Sequence, residues 1–319
     1  MSTTPMTFNV ATTFGIQAPK SLTIDGFADP QHPLIPRVTD YVFRSGLSAI
    51  LAFLRDSGGD ALLLTGPTGS GKTSLICQIA ARLNWPVHSV TCHGRLELSD
   101  LIGQFVLHNG STTFVHGALA VAMREGHLLI LNEIDLMEPS ELAGLNDVIE
   151  GQPLLIAANG GEIIYPRPKF RIVATGNSAG AGDTSGLYQG VLRQNLAFLD
   201  RFRVLTVGYL DADTELGILM VKVPSLPREV GTKMILVANE IRRLFMGESD
   251  AHAELTLTLS TRTLVRWAQL ALTFRGAPQP IAYALEHALT ARADPEQREA
   301  IHRIAADVLG DLWRGSTVG

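Results

Sequence analysis

The sequence predicts an α/β protein: a parallel sheet with helices on both faces, followed by an α-helical C-terminal domain. Three observations predict this. Short, almost continuously apolar segments such as 61–64 and 127–131 recur between turn residues, as expected of strands buried on both faces. Segments of helical periodicity alternate with them, and a helical crossover joins strands in parallel. From Asp211 onward only helical periodicity is found.

The elements follow in order. Residues 1–40 read as an irregular N-terminal arm, with Pro30, Pro33 and Pro36 breaking any helix. Residues 41–55 have the spacing of an amphipathic helix, and Ser57-Gly58-Gly59 turns the chain into the first strand at 61–64. A helix over 74–83 and a strand over 87–91 come next. A helix over 118–125 is closed by Gly126 and followed by the strand at 127–131. Pro139 suits the first turn of a helix over 139–150. Strands at 170–175 and 202–207 complete the sheet.

Two hairpins interrupt this alternation, over 104–115 with Asn109-Gly110 as its turn and over 154–165 turning at Asn159-Gly160-Gly161. Helices over 214–222, 228–245, 261–274, 280–293 and 295–312 follow, with Pro224 and Pro227 breaking the first from the second. The expected organisation is an arm (1–40), an α/β core (41–210) and a helical lid domain (211–319).

Composition narrows the function. The 319 residues are 46% hydrophobic, enough for a large core and a second domain. The net charge of −5 and the lack of a long basic run argue against nucleic acid as a partner. The apolar runs fall well short of the roughly 20 residues of a membrane span, and the polar, Thr-rich start is unlike a secretory signal. Cys77 and Cys92 are too few for a disulfide framework, so both are expected to be reduced thiols in a cytoplasmic protein.

Gly66-Pro67-Thr68-Gly69-Ser70-Gly71-Lys72-Thr73 is a complete G-x-x-x-x-G-K-[ST] phosphate-binding loop between a strand and a helix. Its glycines let backbone N–H groups curl around phosphates, and the following helix aims its positive end at the same anions. Lys72 is placed to reach the β- and γ-phosphates, and the Thr73 hydroxyl to ligand Mg²⁺. ATP with Mg²⁺ is the expected ligand.

Hydrolysis needs a group to orient water and a second hold on the metal. The strand at 127–131 runs into Asn132-Glu133, where a Walker B motif is expected. Glu133 stands in the place of the water-polarising carboxylate. Asn132 offers a neutral amide that accepts from a metal-bound water but weakens Mg²⁺ binding by one charge. These two residues also suit a helix cap. Asn177, after the strand at 170–175, can orient water or touch the γ-phosphate, and is equally a common turn residue. Arg201 and Arg203 stand at the entry to the last strand, where an arginine can reach a neighbouring subunit's γ-phosphate or pair at the surface. Arg262 falls in the first turn of a lid helix that Ser260 or Thr261 can cap. That position is unfavourable to the helix dipole and suits an anionic partner. Cys92-His93 lacks further ligands for a zinc site. His108, His116 and His127 are expected to be solvent-facing or satisfied within the fold.

The order of motifs resembles the MoxR-type branch of AAA+ ATPases over roughly residues 40 to 275. Within it, Ala81-Arg82-Leu83-Asn84-Trp85-Pro86, the segment 182–190 (GDTSGLYQG), Leu199-Asp200-Arg201-Phe202 and Ser260-Thr261-Arg262-Thr263 are similar to CobS-type cobaltochelatase ATPase subunits. Thr91-Cys92-His93 and Ser99-Asp100-Leu101-Ile102-Gly103 are closer to CbbQ and NorQ. The resemblance implies a hexameric ring with ATP at subunit boundaries and the two hairpins as helix-2 and pre-sensor-1 inserts. It further implies Asn177 as sensor 1, Arg201 as the trans-acting arginine finger with Arg203 in reserve, and Arg262 as sensor 2. The implied partner is a von Willebrand A domain protein, with a client that the ring remodels or loads with metal. Asn132 stands where the family has Asp. That implies slow turnover, or a ring that holds ATP chiefly for assembly. A cobaltochelatase ATPase subunit is a further alternative.

Overall fold

The computed structural model describes residues 4–43, 46–108, 110–178, 180, 182, 190–247 and 255–315. It divides into two compact units, one of residues 1–66 and 71–207, the other of 67–70 and 208–319.

In the first unit, β1 (Pro5–Asn9), α1 (Val10–Phe14) and β2 (Thr23–Phe27) precede α2 (Leu47–Arg55) and β3 (Ala61–Thr65). Then come α3 (Lys72–Arg82), β4 (Val87–Thr91), α4 (Leu98–Ile102), β5 (Gly103–His108), β6 (Ser111–His116), α5 (Ala118–Glu125) and β7 (Leu128–Asn132). Helices α6 (Pro139–Ala143) and α7 (Asn146–Ile149) lead to β8 (Leu154–Ile156), β9 (Glu162–Ile164), β10 (Arg171–Gly176), α8 (Leu196–Leu199) and β11 (Phe202–Thr206). The central sheet has the order β11-β3-β10-β7-β4, and every pairing in it is parallel.

Period-two alternation divides the strand side chains between two cores. Leu62, Leu64, Leu128, Ile130 and Val173 pack with α2 and α3, while Leu63, Leu129, Leu131, Ile172 and Ala174 pack with α5, α6 and α8. Because β3 lies between the fourth and fifth strands of the sheet, a topological switch point falls beside it. Ligands of open α/β sheets bind at such a point, beyond the carboxyl ends of the strands.

Three expectations about elements are corrected. Residues 5–27 are not irregular: β1 and β2 form an antiparallel pair, and Val10, Phe14, Ile24 and Phe27 are buried in the same core as α2 and α3. Alternation in Thr23-Ile24-Asp25-Gly26-Phe27 supplies those inward residues. The helix expected over 41–55 begins at Leu47, after Gly46 at φ 101°. The helix expected over 139–150 is split between α6 and α7, with Gly144 and Leu145 at the break. Both hairpins form, as β5–β6 and β8–β9; Asn109 of the first turn lies outside the described residues.

The second unit contains α9 (Ala212–Lys222), α10 (Arg228–Phe245), α11 (Thr261–Thr273), α12 (Pro280–Ala288), α13 (Pro295–Leu309) and α14 (Asp311–Arg314) around its own apolar core. A buried ion pair braces the start of α11. Arg242 of α10 reaches both oxygens of the fully buried Glu215 carboxylate, at 2.7 and 2.8 Å. Arg242 also donates to Leu259 O, and Thr261 Oγ1 donates to Glu215, so both sides of the N-cap Ser260 are tied to this pair.

Candidate nucleotide site

Polar residues collect at the carboxyl ends of the sheet strands. The loop that follows β3 turns at Gly66, whose φ is 139°; a Cβ there would come within 2.3 Å of the Val207 carbonyl oxygen. Only glycine is compatible with both the angle and the approach. The loop ends at Gly71, the N-cap of α3, which begins with Lys72 and Thr73.

These two side chains are already oriented. Lys72 Nζ donates to Gly66 O at 2.7 Å and to Asn177 Oδ1 at 3.1 Å. Burial lowers its pKa to about 8, against the opposing influence of the Asp135 and Glu133 carboxylates. Thr73 Oγ1 donates to Asn132 Oδ1 at 2.7 Å. The Asn132 amide nitrogen donates in turn to Ser89 Oγ at 2.9 Å and Val90 O at 3.4 Å. That pattern fixes the orientation of the amide, with its oxygen toward Thr73. Hard oxygen donors suit Mg²⁺, and a Thr hydroxyl beside an amide oxygen fits it, with no negative charge from position 132.

Glu133 follows with its side chain exposed and its backbone at φ 55°, one of two described non-glycine residues in the left-handed region. Strain of this kind, of order 1 kcal/mol or more, persists where the surroundings over-determine a conformation. Here β7 ends on one side, Thr175 Oγ1 accepts from the Glu133 N–H at 3.2 Å, and a buried turn at residues 134–136 follows. Glu133 is not a side-chain cap for that turn.

The structure thus brings Lys72, Thr73, Asn132 and Asn177 into one hydrogen-bonded set, with Glu133 next along the chain. Arg201 and Arg203 lie elsewhere, at the amino end of β11. Arg201 pairs with Glu150 at 2.6 Å and also donates to Ala197 O. Arg203 pairs with Asp60 at 2.7 Å and donates to Ser57 O at 2.6 Å.

The remaining candidates belong to the second unit. Arg262 is exposed in the first turn of α11 and makes no ion pair among the described residues. Residues Pro67, Thr68, Gly69 and Ser70 of the loop group with this unit, where Tyr209 Oη donates to Thr68 O at 3.0 Å and Gly69 packs against Ser260. Most of the segment 182–190, at 183–189, lies outside the described residues.

Sequence reasoning overlooked Ser89, Asp135 and Glu150. Asp135 left a signal, an acid two residues beyond Glu133 in an otherwise apolar stretch; Ser89 and Glu150 left none. The expectation for the histidines also needs correction at His127. It is buried, its Nδ1 lies 3.1 Å from His88 Nε2, and its Nε2 has no partner among the described residues. His116 does pair, with Glu162 at 2.6 Å. Both cysteines are free, and burial pushes the Cys92 thiol up to about 12.

Comparison with known proteins shows the family. An AAA domain of the dynein-related subfamily matches residues 61–202, and a CbbQ/NirQ/NorQ C-terminal domain matches residues 215–308. The aerobic cobaltochelatase subunit CobS of a Sinorhizobium species is 32% identical over 272 residues, covering 82% of this chain and 79% of that protein. The chain is a MoxR-type AAA+ ATPase close to CobS and CbbQ. Two further proteins are similar to it as well. YojN of Bacillus subtilis is 28% identical over 290 residues, covering 88% of this chain and 90% of that protein. Midasin of Dictyostelium discoideum is 30% identical over 244 residues, 75% of this chain but 4% of midasin. Among the described residues, no helix of this AAA+ protein is long and apolar enough to cross a membrane.

Proposed function

We propose that the protein binds ATP with Mg²⁺ in the loop 66–73 and hydrolyses it slowly, as a subunit of a homo-oligomeric ring, expected to be a hexamer. The hydrogen-bonded set of Lys72, Thr73, Asn132 and Asn177 at the switch point is the observation that supports this reading most directly. Lys72 holds the β- and γ-phosphates. Thr73 and the Asn132 oxygen face the metal position, and a bound Mg²⁺ would neutralise charge on the phosphates. Glu133 orients the attacking water, Asn177 contacts the γ-phosphate, and Arg262 acts as sensor 2. Arg201 of a neighbouring subunit completes the site after exchanging Glu150 for phosphate.

Similarity to CobS and to the CbbQ/NirQ/NorQ C-terminal domain supports a ring that remodels or loads a client together with a von Willebrand A domain partner in the cytoplasm. Metal insertion as a cobaltochelatase subunit is the narrower form of the same reading. The neutral Asn132 favours a second form, in which bound ATP chiefly builds the ring.

Steady-state ATPase assays with light scattering test these readings. Slow wild-type turnover that Glu133→Gln abolishes, in a nucleotide-dependent oligomer, is expected. Turnover absent from the wild type and restored by Asn132→Asp selects the assembly form. A monomer under every nucleotide condition overturns the ring.

A further inference from the structure

Asp135 has no part in the reading above, yet it is one of the most buried charged residues of the first unit, with 1% of its surface exposed. It sits in the turn after β7, two residues beyond Glu133. Its Oδ2 accepts from the backbone N–H groups of Asn177, at 2.8 Å, and Ser178, at 3.2 Å. Its own carbonyl accepts from Leu192 N at 2.8 Å. The other carboxylate oxygen, Oδ1, has no partner among the described residues, and neither does Gln194 Oε1. Both side chains line one small cavity of about 10 Å³, together with Ser178, Phe198 and Leu63. A space of that size holds one water, and a water donates two hydrogen bonds, one for each orphaned oxygen.

We propose that Asp135 is the positioning residue for Asn177: its carboxylate, with a buried water shared with Gln194, holds the end of β10 so that the Asn177 side chain faces Lys72 and the γ-phosphate position. The inference rests on the nucleotide reading and deepens it. Two converging N–H donors require an acceptor, and a charged one makes the stronger hydrogen bonds. Asn177 in turn accepts from Lys72, so one carboxylate fixes the geometry of two phosphate-facing side chains. Two substitutions test this role. Asp135→Asn keeps an acceptor for the two N–H groups and turns its amide toward Gln194 Oε1. Asp135→Ala removes the anchor.

The test uses the full chain, fluorescent ATP and ADP analogues, and amide hydrogen exchange. In Asp135→Ala, the Asn177 and Ser178 amides are expected to lose protection, and the preference for ATP over ADP to fall about tenfold while ADP affinity changes by less than about threefold. In Asp135→Asn, which keeps a weaker, neutral acceptor, protection and the ATP preference are expected to fall between those of Asp135→Ala and the wild type. A merely structural residue would lower thermal stability and leave the ATP-to-ADP ratio unmoved. If Asp135→Ala does not fold, Asp135→Asn decides, and wild-type amide protection together with a wild-type ATP preference in it overturns the proposal. Wild-type protein that binds neither nucleotide overturns the nucleotide reading itself. Wild-type protein that binds both, with an unchanged ratio in Asp135→Ala, overturns only the role given to Asp135.

Discussion

The two ends of the central sheet are built on opposite terms. At the carboxyl end, polar side chains are arranged around the phosphate loop: Lys72 donates to Gly66 O and Asn177 Oδ1, Glu133 is exposed, and the Asn132 amide is held so that its oxygen faces Thr73. At the amino end, charge is already matched or suppressed. Arg201 and Arg203 are paired with Glu150 and Asp60, and His127 is packed neutral against His88. The same strands therefore present one face prepared for an anion and one that is closed on itself. A ligand at the first end meets waiting groups, whereas a partner at the second end must displace an existing one.

The largest effect is expected at the open end. Lys72→Ala removes the half-buried ammonium, and nucleotide affinity should fall about 100-fold or more, measured by titration with a fluorescent ATP analogue. Unchanged affinity would break the comparison, because the open end would then owe nothing to its central cation.

The closed end is tested next by acid. Burial first, and then the neighbouring His88, His32 and Arg167 side chains, lower His127 from 6.5 to about 4. The unfolded chain then takes up a proton that the folded chain refuses. The stabilisation is fully present above pH 6.5 and is lost as the pH falls toward 4, by up to about 3 kcal/mol in all. Chemical denaturation at a series of pH values reads this directly, and His127→Phe should flatten the dependence.

Asn132→Asp sharpens the contrast by adding charge to the open end. The Ser89 hydroxyl can rotate to donate to the new oxygen, leaving only a contact with Val90 O to relax. The Mg²⁺ concentration for half-maximal hydrolysis should fall about tenfold.

The smallest effect is expected from Glu150→Gln, which loosens Arg201. A half-exposed ion pair contributes about 1 kcal/mol or less, so turnover in an assembled ring should rise by no more than about fivefold, with nucleotide affinity unchanged. A fall in turnover would mean that Glu150 aids the arginine rather than restraining it.

The contrast also explains what the sequence made legible. The phosphate loop, the strand ending in Asn132-Glu133 and the helical C-terminal unit could be read because each depends on local spacing. The partners that give the site its geometry come from distant parts of the chain. Ser89 lies 43 residues from Asn132, and Asp135 lies 42 from Asn177. No local pattern announces such pairs. The buried β1–β2 pair escaped for a related reason, since prolines farther along masked five residues of plain alternation. The split of α6 from α7 escaped because apolar periodicity continues across Gly144.

Glu162 gives the two hairpins a mechanical property. It sits in β9 and binds His116 at the root of the β5–β6 hairpin, Asn159 in its own turn and, at 3.6 Å, Arg124 in α5. The two protrusions are thus pinned to each other and to the helix that leads into β7. A pull on either tip is borne by a shared anchor rather than by one turn alone, and α5 connects that anchor to the strand ending at Asn132-Glu133. Replacing Glu162 would remove these links together and leave each hairpin held by its own strand pairing.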